Sequence, residues 1–206
     1  NIQPKKKQKK VGRKNRKSLL KKAERNISKK KNKIINKHMY HTLKEFTDEY
    51  KMESQSTLKL LKILTTESLY KTVDGKVRSI GRLAYHIAHT VAEMMSKTGL
   101  KVPFNLKNPS EDTSVTADQI VAAYQNAINQ LLSEIETKWT DASLSQTNNM
   151  YGEEWSNALT LSILLKHEIH HRGQLTVLMR LAGLVVPGIY GPSAEEWAMF
   201  GMQMEE

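Results

Sequence analysis

The chain has 206 residues, 39% of them apolar, which is enough for one domain with its own core and an additional arm, so disorder throughout is not expected. It has no cysteine, which excludes disulfides, zinc–thiolate sites, iron–sulfur clusters and a cysteine nucleophile and leaves histidine and carboxylate chemistry. The formal charge of +11 averages two unlike parts: residues 1–38 hold 17 Lys and Arg against one acid, a net +16, while residues 39–206 hold 15 basic and 20 acidic residues, a net −5.

The leader, residues 1–38, has no aromatic residue and long runs of like charge, so it is expected to be disordered. Leu20, Ile27 and Ile34 recur every seven residues, so Ser18 to Lys37 can become a basic amphipathic helix on a surface or partner. PKKKQKK resembles clusters used for nuclear entry or nucleic-acid contact, and any attraction to nucleic acid is expected through the leader alone. The first methionine is Met39, at the start of the amphipathic body, so the functional protein is expected to begin there and the leader to be foreign to it. No apolar segment follows the lysines and no run of eighteen apolar residues occurs, which predicts neither secretion nor a membrane span and, by default, a cytoplasmic location.

From Met39 onward the apolar residues follow helical periods. Tyr40, Leu43, Phe46, Tyr50, Met52, Leu58, Leu61 and Leu64 predict a first helix with a polar interruption at Glu53 to Thr57. After the turn signal Asp74-Gly75, a stripe from Val77 through Ile80, Leu83, Ile87, Val91 and Met94 predicts a second helix ending at Gly99. Lys101 to Thr116 reads as a long loop, and Ala117 to Trp139 as a third helix. A polar loop over Asp141 to Ser156 leads to the longest helix, Ala158 to Leu181, which ends at Gly183. Pro187, Gly188, Gly191 and Pro192 mark a rigid turn, after which Ser193 can cap a short C-terminal helix over Ala194 to Met202. The predicted class is all-α, a four-helix bundle behind a basic leader, with domains 1–38 and 39–206.

Five of seven histidines fall in two helices: His86 and His89 in the second, and His167, His170 and His171 in the fourth. Residues four apart share a helix face, so His167 and His171 can direct two imidazoles to one point. A third imidazole leaves a coordination position open, the pattern of catalytic zinc; His86 is the candidate and His89 its rival. Glu93, two turns from His86, can orient a histidine or act as a base. HEIHH also fits the H-E-x-x-H pattern of zinc proteases, with Glu168 activating water and Glu195 or Glu196 as a third ligand. Against that stand the absence of a substrate-binding strand upstream, the mismatch of Gly173 and Gln174 to the extended motif, and an unexplained His86.

LLKHEIHHRGQLTVLMRLAG (Leu164 to Gly183), VVPGIYGPSAEEW (Val185 to Trp197) and SIGRLAYHIAHTVAEMM (Ser79 to Met95) resemble the DinB/YfiT-like family of metal-binding four-helix bundles. The resemblance covers Met39 to Trp197. It implies that His86, His167 and His171 bind one divalent metal, zinc or nickel, with water at the open positions, and that the bundle forms homodimers. It also implies chemistry on a small-molecule substrate, since relatives use low-molecular-weight thiols such as bacillithiol, mycothiol or glutathione. The expected function is therefore a metal-dependent thiol transferase acting on small electrophiles. The alternatives are a metal-dependent hydrolase and a non-enzymatic, damage-inducible metal-binding protein. Gly173 can permit close helix approach, Gln174 can hydrogen-bond near the site, and Tyr190, in its glycine-flanked turn, can reach the metal cavity as a catalytic group.

Overall fold

The computed structural model describes residues 39–73, 75 and 78–203. The chain divides into two units, residues 1–39 and 40–206, and the architecture below is that of the second. The expected disorder of the leader, its helix over Ser18 to Lys37 and the run PKKKQKK lie outside the described residues.

Four α-helices carry the fold: α1 (Leu43–Leu61), α2 (Ile80–Ser96), α3 (Ala117–Lys138) and α4 (Asn157–Leu181). Each begins where a hydroxyl satisfies a backbone N–H that a helix start leaves unpaired. Thr42 accepts from the amide of Glu45, Ser79 from Arg82, Thr116 from Gln119 and Ser156 from Leu159. Thr42 and Thr116 complete reciprocal capping boxes with Glu45 and Gln119. The first cap sets the start of α1 at Leu43, later than the expected Tyr40, and Met52, expected in its apolar stripe, is exposed.

In the principal contacts α1 and α2 each pack on both α3 and α4, which puts α1 and α2 at opposite corners of the bundle. Phe46, Leu61, Ile87, Met95, Ile120, Leu131, Leu161 and Leu175 fill the space between them. Each such side chain contributes roughly 1.5–3 kcal/mol by leaving water. The diagonal crossing from α1 to α2 runs through a 3-10 turn at Ser68–Tyr70 that presses on the start of α2. Gly81 permits this, because a Cβ there would lie 2.9 Å from both the Cβ and the carbonyl oxygen of Leu69.

Two segments differ from the sequence expectation. The stretch between α3 and α4 is not a plain loop: a 3-10 helix at Asp141–Ser145 precedes an antiparallel hairpin of β1 (Thr147–Met150) and β2 (Glu153–Ser156). Tyr151 and Gly152 form its two-residue turn, both with positive φ, 58° and 91°. At the C-terminus, the expected helix over Ala194 to Met202 is a single 3-10 turn, Trp197–Phe200. Ser193 participates through its backbone carbonyl, which accepts from the amides of Glu196 and Trp197.

Candidate metal centre

α4 presents two pairs of side chains one residue apart in register, hence about 100° apart around the helix. His167 and His171 face α2, where they meet His86, while Glu168 and Arg172 turn into the bundle core. The three imidazoles converge through their Nε2 atoms, with His86 to His171 at 3.2 Å and His171 to His167 at 3.1 Å. One ring nitrogen from each lies within 4.8 Å of the others, and among the described residues this is the only such group of three metal-ligating side chains. His89 is not part of it: its ring stacks on Tyr85 and meets the edge of Phe104.

Gln174 orders the cluster from outside. Its carboxamide oxygen lies 2.7 Å from His171 Nδ1 and its NH2 group 3.0 Å from His170 Nε2. A carboxamide oxygen can only accept, so His171 carries its proton on Nδ1 and aims an Nε2 lone pair at the other two imidazoles. Gly173 serves no close helix approach, since a Cβ there would meet nothing within 4 Å among the described residues.

The cluster is held in its neutral form. Burial pushes His86 down to about 3, helped by Arg78, the other two imidazoles and Arg82. Burial likewise pushes His167 down to about 4, with His171, His170 and Arg78 acting in the same direction and Glu93 opposing them. His171 is lowered by burial against its bond to Gln174. Metal ligation requires deprotonated imidazole nitrogens, so three converging neutral donors fit a divalent metal that accepts nitrogen ligands. The same shifts fix a pH dependence. Against an ordinary value of 6.5, the unfolded chain takes up protons first as the pH falls, so this stability is present above about 6.5 and is lost towards 3. The melting temperature of the metal-free protein is expected to fall between pH 6.5 and 4, and less steeply in His86→Ala.

Of the other expected site residues, Glu93 sits near His167 and accepts a hydrogen bond from the Tyr151 hydroxyl at 2.6 Å, with Lys97 at 3.5 Å. The hairpin turn delivers Tyr151, a role its sequence did not signal. Tyr190, expected at the metal cavity, instead places its hydroxyl 2.6 Å from Arg172 Nη2 and donates to Glu53 at 2.8 Å. Glu195 pairs with Arg180, and Glu196 accepts from the amides of Gly188 and Ser193, so neither joins the histidines. Glu168 is buried and accepts from Tyr50 at 3.1 Å, Thr57 at 2.7 Å and Tyr124. That position removes the protease assignment, because a carboxylate enclosed by three hydroxyls on the core side of α4 cannot activate water at the triad.

The family model described as the DinB family matches residues 39–206. The chain belongs to the DinB family. Within it, the uncharacterized protein YrdA of Bacillus subtilis (strain 168) is 41% identical over 167 residues, covering 80% of this chain and 98% of YrdA. A crystal structure of a DinB-like protein from Bacillus cereus is 37% identical with a TM-score of 0.69, covering 74% of this chain and all of that one. The DinB-like protein YjoA of Bacillus subtilis shares the fold at 17% identity and a TM-score of 0.57, covering 72% of this chain and 98% of YjoA. No helix among the described residues is long and apolar enough to cross a membrane.

Proposed function

We propose that this DinB-family protein is a divalent-metal-dependent enzyme that transfers a low-molecular-weight thiol to small electrophiles, with zinc or nickel held by His86, His167 and His171. The observation that carries this is the convergence of three neutral, half-buried imidazoles from two helices with no fourth protein ligand grouped with them among the described residues. A metal bound there supplies Lewis-acid activation of an external thiol, which a cysteine-free chain must obtain from a cofactor. Glu93 takes up the S–H proton, the sulfur forms its bond to the electrophilic carbon, and the leaving group departs with its electron pair. Tyr151 and Lys97 keep the Glu93 carboxylate oriented. The same proposal places the enzyme in the cytoplasm and makes it a homodimer, the dimer supported by the exposed apolar side chains of Val177 and Leu181 at the end of α4 and of Val185 just beyond it.

The test is turnover of a fluorogenic alkyl halide by zinc- or nickel-loaded full-length protein with bacillithiol, mycothiol or glutathione. Activity is expected only with metal and thiol together, and Glu93→Gln is expected to lower kcat by about 10²–10⁴ with metal content unchanged. Metal-dependent ester hydrolysis without thiol would replace this reading with a hydrolase. Loaded protein inert to both substrate types would leave a metal-binding protein without catalysis.

A further inference from the structure

Three neutral imidazoles do not cancel the charge of a divalent cation, so whatever completes such a site is drawn from species that can. The surroundings add to the positive charge. Arg82 precedes His86 by four residues on α2, hence lies on the same helix face one turn earlier, and Arg78 lies before the helix, just outside the cap at Ser79. The Arg82 guanidinium lies 5.5 Å from the centroid of the Tyr85 ring, and that ring is itself packed against His89 and Phe104. A guanidinium already settled on an aromatic face loses less freedom when it binds a ligand.

The four described arginines divide sharply. Arg172 pairs with Glu53 and Arg180 with Glu195, whereas Arg78 and Arg82 form no ion pair with a carboxylate among the described residues. Arg82 stands one turn from His86, and both arginines act on the histidines. Their field reaches the cluster, Arg78 acting on all three imidazoles and Arg82 on His86. Of the acids around the site, Glu93 lies further along α2 and is engaged by Tyr151 and Lys97, while Glu111 acts on the Tyr85 ring. A ligand that reaches the triad therefore meets the field of two guanidiniums that have no carboxylate partner among the described residues, in the planar geometry that suits oxyanions.

We infer that Arg78 and Arg82 form an oxyanion subsite beside the histidine triad, so that the small molecule used there carries a carboxylate or phosphate in addition to the atom it presents to the metal. The choice of thiol probes rests on the thiol-transfer proposal above; the subsite itself does not.

The test is calorimetric titration of zinc-loaded full-length protein with three thiols that differ in charge: mercaptosuccinate, 2-mercaptoethanol and cysteamine. Mercaptosuccinate is expected to bind at least about tenfold more tightly than 2-mercaptoethanol, one well-formed charge-assisted contact being of that size. In Arg78→Gln/Arg82→Gln the preference disappears, while zinc content, melting temperature and 2-mercaptoethanol affinity stay unchanged. Equal binding of the two thiols by the parent protein, or a preference that survives in the double variant, would overturn the inference. Succinate and inorganic phosphate, titrated separately, tell a carboxylate subsite from a phosphate one. If no thiol binds but either anion does so in an arginine-dependent way, the subsite stands and the thiol reading falls. If neither anion nor thiol distinguishes parent from variant, the subsite falls.

Discussion

Alanine in place of His167 or His171 is expected to reduce bound zinc or nickel from about one equivalent per chain to nearly none, with the helical circular dichroism retained. The two residues supply two of the three Nε2 atoms that converge between α2 and α4. Removing either leaves two imidazoles, fewer than the three protein ligands that a metal site with an open position uses. The helix itself tolerates the change, since alanine is the best helix former and both rings are half-buried rather than core filling. His86→Ala should behave identically although it lies on another helix, because its ligand atom is equivalent in the geometry. Gln174→Leu makes the graded comparison: it leaves all three ligands and removes the acceptor on His171 Nδ1, so affinity should fall about 10–100-fold without loss of the site. Elemental mass spectrometry of reconstituted proteins and competition with a chelator measure both. Full metal content in His86→Ala would refute the three-histidine site, and a parent chain that binds no metal after reconstitution would refute metal binding altogether.

How far these arrangements could be read beforehand depends on whether they rest on local periodicity or on distant partners. The four helices announce themselves through apolar spacing, and each boundary is then trimmed by a cap such as Thr42, whose effect is local but finer than the period. The histidine pair is legible for the same reason: four residues are one helical turn. Which histidine of α2 joins it is not local. His86 and His89 are one turn apart, and only the placement of Phe104 and Tyr85 shows that His89 belongs to an aromatic group. The hairpin was hidden because TNNM and EEWS carry almost none of the β-branched and aromatic residues that mark strands. Glu53 to Thr57 looked like an interruption of the first helix because a buried polar group cannot be told from a surface one until its partners, more than a hundred residues away, are known. The same reason misdirects Glu168 and Tyr190 in the sequence: the motif around Glu168 suggests water activation, and the glycine-flanked turn suggests a tyrosine that reaches the metal cavity, yet both serve one internal network.

That network gives the second large effect: Arg172→Leu is expected to lower the free energy of unfolding by about 3–5 kcal/mol in urea titrations of the metal-free protein. Arg172 is almost fully buried, and its guanidinium donates to the carbonyl oxygen of Glu53 at 2.9 Å, to Thr57 at 3.4 Å, and to the Glu53 carboxylate. Thr57 passes the connection on by donating to Glu168, which also receives the hydroxyls of Tyr50 and Tyr124. Burial raises the proton affinity of both tyrosines, with the Glu168 charge acting in the same direction, so they remain donors. Burial also pushes the Glu168 carboxyl up, against the three hydroxyls and Arg172. Leucine at position 172 removes the guanidinium bonded to Glu53 and Thr57, so two carboxylates lose their compensating charge and the Tyr190 hydroxyl keeps only Glu53 of its two partners among the described residues. Glu168→Gln should cost less, about 1–2 kcal/mol, because the amide oxygen still accepts and the hydroxyls can rotate. This variant also separates the two roles open to the residue. A carboxylate that orders the core lowers stability and leaves turnover per bound metal unchanged, whereas a base that activates water lowers turnover and leaves stability intact. The geometry requires the first, because every side-chain hydrogen bond of Glu168 among the described residues is to a hydroxyl of α1 or α3, and the histidines one residue before it and three residues after it, His167 and His171, face α2 instead.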